Sequence, residues 1–195
     1  LTVLVALPME NKRITAQTRA GIVVLIMALV VIYGWLMRYP AALQLRADFL
    51  AMVMNTAICF AVTGMALMAP AIFSPILAAR VQKLAGGFLV LLASLELVEH
   101  LAGVDLRVDL TLFHSWLLDG NPYPGRMPPN TALSFFLTGI LLLFVQSVNT
   151  RAGALLVQLV ILSIGLLGLA GLIGHLFPLE HLYGITITRM ALHTS

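Results

Sequence analysis

Charge is the scarcest commodity in this chain. Of 195 residues, 11 are Lys or Arg and 8 are Asp or Glu, so only 10% are charged, against about 25% in an ordinary soluble domain. Too little polar surface exists to cover a water-soluble globule, which excludes a cytosolic enzyme, a nucleic-acid binder and a disordered chain. There is one cysteine, Cys59, which excludes an internal disulfide framework and a zinc ribbon. The sequence pI near 9.4 rests on a surplus of +3 spread along the length, with no basic cluster. It reads as loop charge that orients a membrane protein. No catalytic motif, H-box or nucleotide-binding glycine pattern occurs. What is present is apolar: 61% of residues are hydrophobic and the mean hydropathy is +1.02.

The apolar residues fall in runs long enough to cross a bilayer, which takes about 20 residues of helix. Five complete spans are expected: Gly21 to Met37, about Phe49 to Pro70, about Leu84 to Leu101, about Pro129 to Val148, and about Ala152 to Phe177. A sixth begins near Thr188, and the seven or eight residues to Ser195 are too few to cross lipid, so the chain is expected to continue. The runs lack the alternation of a barrel strand, and lipid leaves helices as the remaining way to satisfy the backbone. The expected fold class is therefore an all-α polytopic transmembrane bundle of helical hairpins. Residues 1–20 form an N-terminal cytoplasmic segment, and residues 21–195 form the membrane domain, cut short in its sixth span. Lys12, Arg13, Arg19, Arg80, Lys83 and Arg151 fall on one side; Arg38, Arg46, Arg107, Arg126 and Arg189 fall on the other. This slight excess places the N-terminus in the cytoplasm, and makes residues 104–127 the largest outer loop.

The chain repeats itself. Span two opens with Met52, Asn55, Thr56 and Ala57 and continues through Phe60, Thr63 and Gly64. Span four opens with Met127, Asn130, Thr131 and Ala132 and continues through Phe135, Thr138 and Gly139, each offset by 75. Span six opens with Met190, His193 and Thr194. His100 and His175, at the outer ends of spans three and five, are also 75 apart, with Trp35 in roughly that place on span one. Three related hairpins are expected.

The run from Pro124 through Arg126, Met127, Asn130 and Thr131 to Gly139, with the later Leu182-Tyr183-Gly184 and Met190-Ala-Leu-His193-Thr194, resembles the N-terminal integral-membrane sensor region of bacterial hybrid histidine kinases and diguanylate cyclases. The resemblance covers residues 85–195 well and residues 20–80 loosely. It implies a membrane-embedded sensory module of a signal-transduction (two-component) protein. Such a module would act on a cytoplasmic output domain or partner subunit, and any kinase or cyclase activity would lie in that domain. The expected setting is the lipid bilayer, the expected assembly a homodimer, and nucleic acid is not an expected partner.

Ionisable groups at membrane depth are costly and tend to be paired or functional. Glu96 and His100 are one turn apart and share a helix face. His175 is the repeat counterpart of His100, and His193 would enter span six from the same side. One reading is a b-type haem held by His100 and His175, two axial imidazoles from two helices, which would make the chain a membrane cytochrome or electron-transfer subunit. Another is a copper or zinc site built from His100, His175, His193 and Glu96. A third is polar glue between helices, as in a structural subunit of a larger complex. A fourth, a transporter, lacks the broken helices at mid-membrane depth that such proteins use. Asn55, Thr56, Asn130 and Thr131 are expected to cap helices or bond to neighbours. Gly165, Gly168, Gly171 and Gly174 suggest a close helix contact, or room for a flat cofactor beside His175. In the outer loop, Asp109 to Leu118 reads as a short amphipathic helix on the membrane surface with Trp116 at the interface, with His114 exposed. Cys59 reads as a small buried apolar residue.

Overall fold

The computed structural model describes the backbone of residues 3–44, 50–117 and 123–176, with side chains for 16–44, 50–117, 123–171 and 173. Among the described residues six α-helices follow one another: α1 (Val3–Leu36), α2 (Met54–Ile72), α3 (Pro75–Ala102), the single turn α4 (Thr111–His114), α5 (Pro129–Phe144) and α6 (Arg151–Leu176). No strand occurs among the described residues. Five of the helices are long and apolar enough to cross a membrane, so the chain is a multi-pass membrane protein by construction. α1 runs without a break through residues expected to form a separate N-terminal segment.

Local sequence sets the helix ends. Pro75 and Pro129 occupy first-turn positions, where a missing N–H costs nothing. Thr150 Oγ1 accepts a hydrogen bond from Gly153 N–H at 3.1 Å at the start of α6, a side-chain cap. α3 stops at Gly103, whose φ of 64° is left-handed and whose N–H returns to the Glu99 carbonyl. A glycine reaches that conformation without steric penalty. Only Phe73 and Ser74 separate α2 from α3, which makes those two helices antiparallel neighbours.

The helices pair as two hairpins, α1 with α2 and α3 with α5, joined through α2 against α3, while α6 lies on α5. Each hairpin crosses at a pair of glycines. A Cβ on Gly21 would stand 2.9 Å from the Gly64 carbonyl oxygen, and one on Gly64 would meet the Gly21 oxygen at the same distance. A Cβ on Gly86 would stand 2.7 Å from the Gly139 oxygen, and one on Gly139 would meet the Gly86 oxygen at 2.8 Å. Small residues at such crossings let backbones approach where lipid offers no hydrophobic drive between helices. Gly165 of α6 behaves differently: a Cβ there would meet nothing within 4 Å. Most of the large side chains of α6, Leu155, Leu159, Leu162 and Leu166 among them, are exposed.

Two apolar cores result. One joins the hairpins through Cys59, Ala66, Leu89, Ala93, Phe135 and Leu142, with the Phe60 and Phe135 rings edge to face at 4.9 Å. Cys59 is a buried free thiol. The other lies at the loop end of the first hairpin, around Trp35, Leu43, Met52 and Met54. α4 folds onto this second core. Of the expected amphipathic stretch from Asp109 to Leu118, only Thr111–His114 are helical among the described residues, and Leu118 lies outside them. His114 is buried rather than exposed, its ring 5.1 Å from that of Trp35, and Trp116 stacks edge-on to Trp35 at 5.7 Å. Phe113, His114 and Trp116 thus close the bundle end.

Because the atoms facing Gly86 and Gly139 are backbone oxygens, they cannot swing aside. Gly86→Ala and Gly139→Ala should each destabilise the purified protein by about 1–3 kcal/mol, as overpacking does. Gly87→Ala, next to open space, should leave stability unchanged or slightly higher. Unfolding in detergent compares the three.

Candidate functional site

The polar centre of the molecule lies where α3 ends and α2 and α5 begin. It is built on a joint that occurs twice. Trp35 Nε1 donates to the Met52 carbonyl at 2.8 Å. His100 Nε2 lies 2.8 Å from the Met127 carbonyl, and since a carbonyl only accepts, that nitrogen carries the proton. Trp35 lies fourteen residues after Gly21, as His100 does after Gly86, and the two methionines are the repeat-related pair. The equivalence runs further down the first helices. Gln17-Thr-Arg-Ala-Gly21 matches Gln82-Lys-Leu-Ala-Gly86. Gln17 donates to Leu67 O at 3.1 Å and Gln82 to Ala66 O at 3.2 Å, while Gln146 Nε2 donates to Gln82 Oε1.

On this register Glu96 and Glu99 take the places of Val31 and Gly34. Both carboxylates are fully buried. Glu96 Oε1 accepts from Asn55 Nδ2 at 2.7 Å, and Glu96 Oε2 from Met127 N–H at 3.1 Å. Asn55 gives its other amide hydrogen to the Val108 carbonyl at 2.9 Å. Glu99 Oε1 accepts from Leu106 N–H at 2.6 Å. Arg126 Nε donates to Asp109 Oδ2 at 3.0 Å and lies 3.7 Å from Glu99 Oε2; its guanidinium sits over the Tyr123 ring at 5.4 Å. Burial works against the Arg126 charge. The bonded Asp109 carboxylate, with Glu99 and Glu96 beyond it, more than offsets this and holds the pKa above the ordinary guanidinium value.

These contacts bind the segment after α3 like a strap: Leu106, Val108, Asp109, Arg126 and Met127 are all held by α2 or α3 or by one another. The depth of the group follows from spacing. Glu96 lies thirteen residues beyond Lys83, about 20 Å along a helix, and a hydrocarbon core is about 30 Å thick. The exposed Lys83 can reach a headgroup with its flexible stem. Glu96 cannot, and it is satisfied inside the protein instead.

The residues expected to form a site are distributed as follows. Glu96 and His100 do share a face, and they meet at Met127, one accepting from its N–H and the other donating to its carbonyl. The His175 side chain and all of His193 lie outside the described residues. His100 Nε2, the nitrogen a haem iron usually takes, is engaged with Met127, at a position where Trp35, a pure donor, makes the same bond; Nδ1 is then the nitrogen left for a metal. Of the small polar residues, Asn55 bridges helices as expected, whereas the Thr56 and Thr131 hydroxyls are buried without a hydrogen-bond partner. Glu99, Asp109 and Arg126 were not expected as site residues. The signal for Glu99 was its position three residues from Glu96, on the same face; nothing local marks Asp109 or Arg126.

Compared with known protein families, with curated proteins and with solved structures, the chain matches none.

Removing Arg126 strands two carboxylates. Arg126→Gln should cost on the order of 3 kcal/mol, the low end for breaking a buried pair because the guanidinium keeps some solvent contact. Asp109→Asn in that background should recover part of the loss, a non-additivity that a double-mutant cycle in detergent unfolding measures. Because the Met127 carbonyl holds His100 Nε2, the visible spectrum of the protein purified from haem-replete cells should lack a Soret band.

Proposed function

We propose that this chain is the membrane-embedded sensory module of a bacterial signal-transduction protein, lying in the inner membrane with its N-terminus in the cytoplasm. A stimulus arriving at the outer end of the bundle acts on the group of Glu96, Glu99, Asp109 and Arg126 and changes how the strap between α3 and α5 is held. The observation that carries this reading is the replacement of Val31 and Gly34, in the first hairpin, by two buried carboxylates in the second. The hairpin joint is made without charge in one copy, so the charges of the other serve something besides the joint. Buried ionisable groups in membrane helices are functional by default, and the resemblance of the Pro124–Gly139 segment to membrane sensor regions points the same way.

The mechanism needs an element with two arrangements that a stimulus biases. The strap is that element. Docked, it places Leu106 N–H on Glu99, Asp109 on Arg126 and Met127 on Glu96 and His100. Released, it frees the end of α3 and the start of α5 to shift against each other about the Gly86–Gly139 crossing. A shift of α5 reaches α6, which rests on it, and through the following segment a cytoplasmic output domain.

In the full-length protein, Glu99→Gln and Arg126→Gln should each fix the output near one extreme and flatten its response, while Leu112→Ala, at an exposed strap position, should leave the response intact. The assay is the output activity in membranes. An output indifferent to both charge changes would defeat the proposal.

A further inference from the structure

The carboxylate group has a deficit of positive charge and a surplus of acceptors. Three carboxylates share one guanidinium, which leaves a net charge of −2 when all are ionised. The donors that reach them are few: Asn55 and Met127 serve Glu96, Leu106 serves Glu99 Oε1, and Arg126 serves Asp109 Oδ2. Glu99 Oε2 and Asp109 Oδ1 are buried and accept no hydrogen bond. Glu99 is fully buried and the Asp109 side chain is 8% exposed. Glu99 Oε2 is aimed into the group, since it faces the same Arg126 Nε that Asp109 holds. Buried anionic oxygens that accept no hydrogen bond, one of them facing only a guanidinium N–H already given to Asp109 at 3.0 Å, are poorly compensated in apolar surroundings.

The geometry suits one ion. One oxygen from each of Glu96, Glu99 and Asp109 lies within 4.8 Å of the others. Calcium takes oxygen ligands at about 2.3–2.6 Å, so a single ion of that size between the three can touch all of them, and a smaller ion needs the side chains to close in slightly. The available donors are carboxylates, a set that suits calcium, magnesium or manganese rather than copper or zinc. Two positive charges cancel the deficit; one proton leaves a negative charge behind.

We propose that Glu96, Glu99 and Asp109 bind one divalent cation of the calcium, magnesium or manganese class, with Arg126 as the fixed counter-charge beside it. The ion ties α3 to the strap and so favours the docked arrangement. That the ion is the stimulus rests on the sensory reading above; that it binds does not.

The test is a titration of the purified chain, in detergent after EDTA treatment and at fixed pH, with Mn2+ followed by its electron paramagnetic resonance signal. The expected result is one saturable ion per chain, displaced by Ca2+ or Mg2+. Glu99→Gln and Asp109→Asn should weaken it about tenfold or more, whereas Asp105→Asn, whose carboxylate only meets Arg107 N–H on the exposed strap, should bind like the parent. Absence of saturable Mn2+ binding to the folded parent overturns the proposal, and so does unchanged binding by Glu99→Gln and Asp109→Asn. The parent titration needs no variant and decides the matter even if the substitutions prevent folding. A bound ion with an indifferent output overturns the sensory reading alone, and a responsive output with no bound ion overturns the cation alone.

Discussion

A backbone carbonyl that precedes a helix inside an apolar bundle has neither water nor an intrahelical partner, and it must be given a donor. Met52 and Met127 carry such carbonyls, and in both hairpins a ring N–H from the end of the preceding helix supplies the donor: Trp35 in the first, His100 in the second. This bond fixes how far the first helix reaches before the second begins. With the glycine crossing lower down, it sets the pair at two points, Gly21–Gly64 with Trp35–Met52 and Gly86–Gly139 with His100–Met127. Two fixed points determine the packing of two rods, and the rest of each hairpin follows. An indole cannot accept a hydrogen bond or ligate a metal. That one copy uses Trp therefore defines the role as donation, and explains why an imidazole at the same position is held by the backbone.

On this shared frame the copies have diverged in one direction. Seventeen residues separate Trp35 from Met52, and twenty-seven separate His100 from Met127. The longer connection is the strap, and it delivers Asp109 and Arg126 to the carboxylates that replace Val31 and Gly34. Longer loop and buried charge belong together. Without Glu96 and Glu99 the strap keeps only Asn55 and His100 to dock on; without the strap the carboxylates lack Leu106 N–H and Arg126.

That difference in length also governs what could be read from the sequence. The five spans were legible because an apolar run of bilayer length admits few other structures. The second helices of the hairpins were legible as a repeat because their offset of 75 is rigid from Met52 to Gly64. The first helices were not: the ten extra residues of the strap reduce their offset to 65, so Gln17 with Gln82 and Gly21 with Gly86 fall out of step with the even helices. Trp35 was matched to His100 by place alone, without its bond. Glu96 and His100 were visible because a charge in an apolar run stands out. Asp109 and Arg126 sit in a loop where charge is ordinary, and only the fold carries them to Glu99. The expected close contact is not met at Gly165 of α6, for the converse reason. A periodic stripe marks a face that can pack closely, but which stripe is used depends on a partner, and Gly165 has open space where Gly86 has a backbone oxygen.

A cluster of buried charge is a poor way to gain stability, since desolvation takes back most of what attraction supplies. The first hairpin shows that the scaffold closes its joint without one. What ionic docking adds is sensitivity. Apolar packing weakens by degrees as contacts are lost, but a buried carboxylate whose partner leaves becomes an uncompensated charge, and the arrangement fails as a unit. In the second hairpin one guanidinium stands between two carboxylates, and a third carboxylate one helical turn away holds the peptide group that starts α5. A change of a single charge there therefore acts at once on the end of α3, on the strap and on the first turn of α5. An apolar joint such as that of Val31 and Gly34 transmits no such change. The coupling lies in the placement of the charges, at the end of the helix pair that hydrogen bonds hold rather than the Gly86–Gly139 backbone crossing.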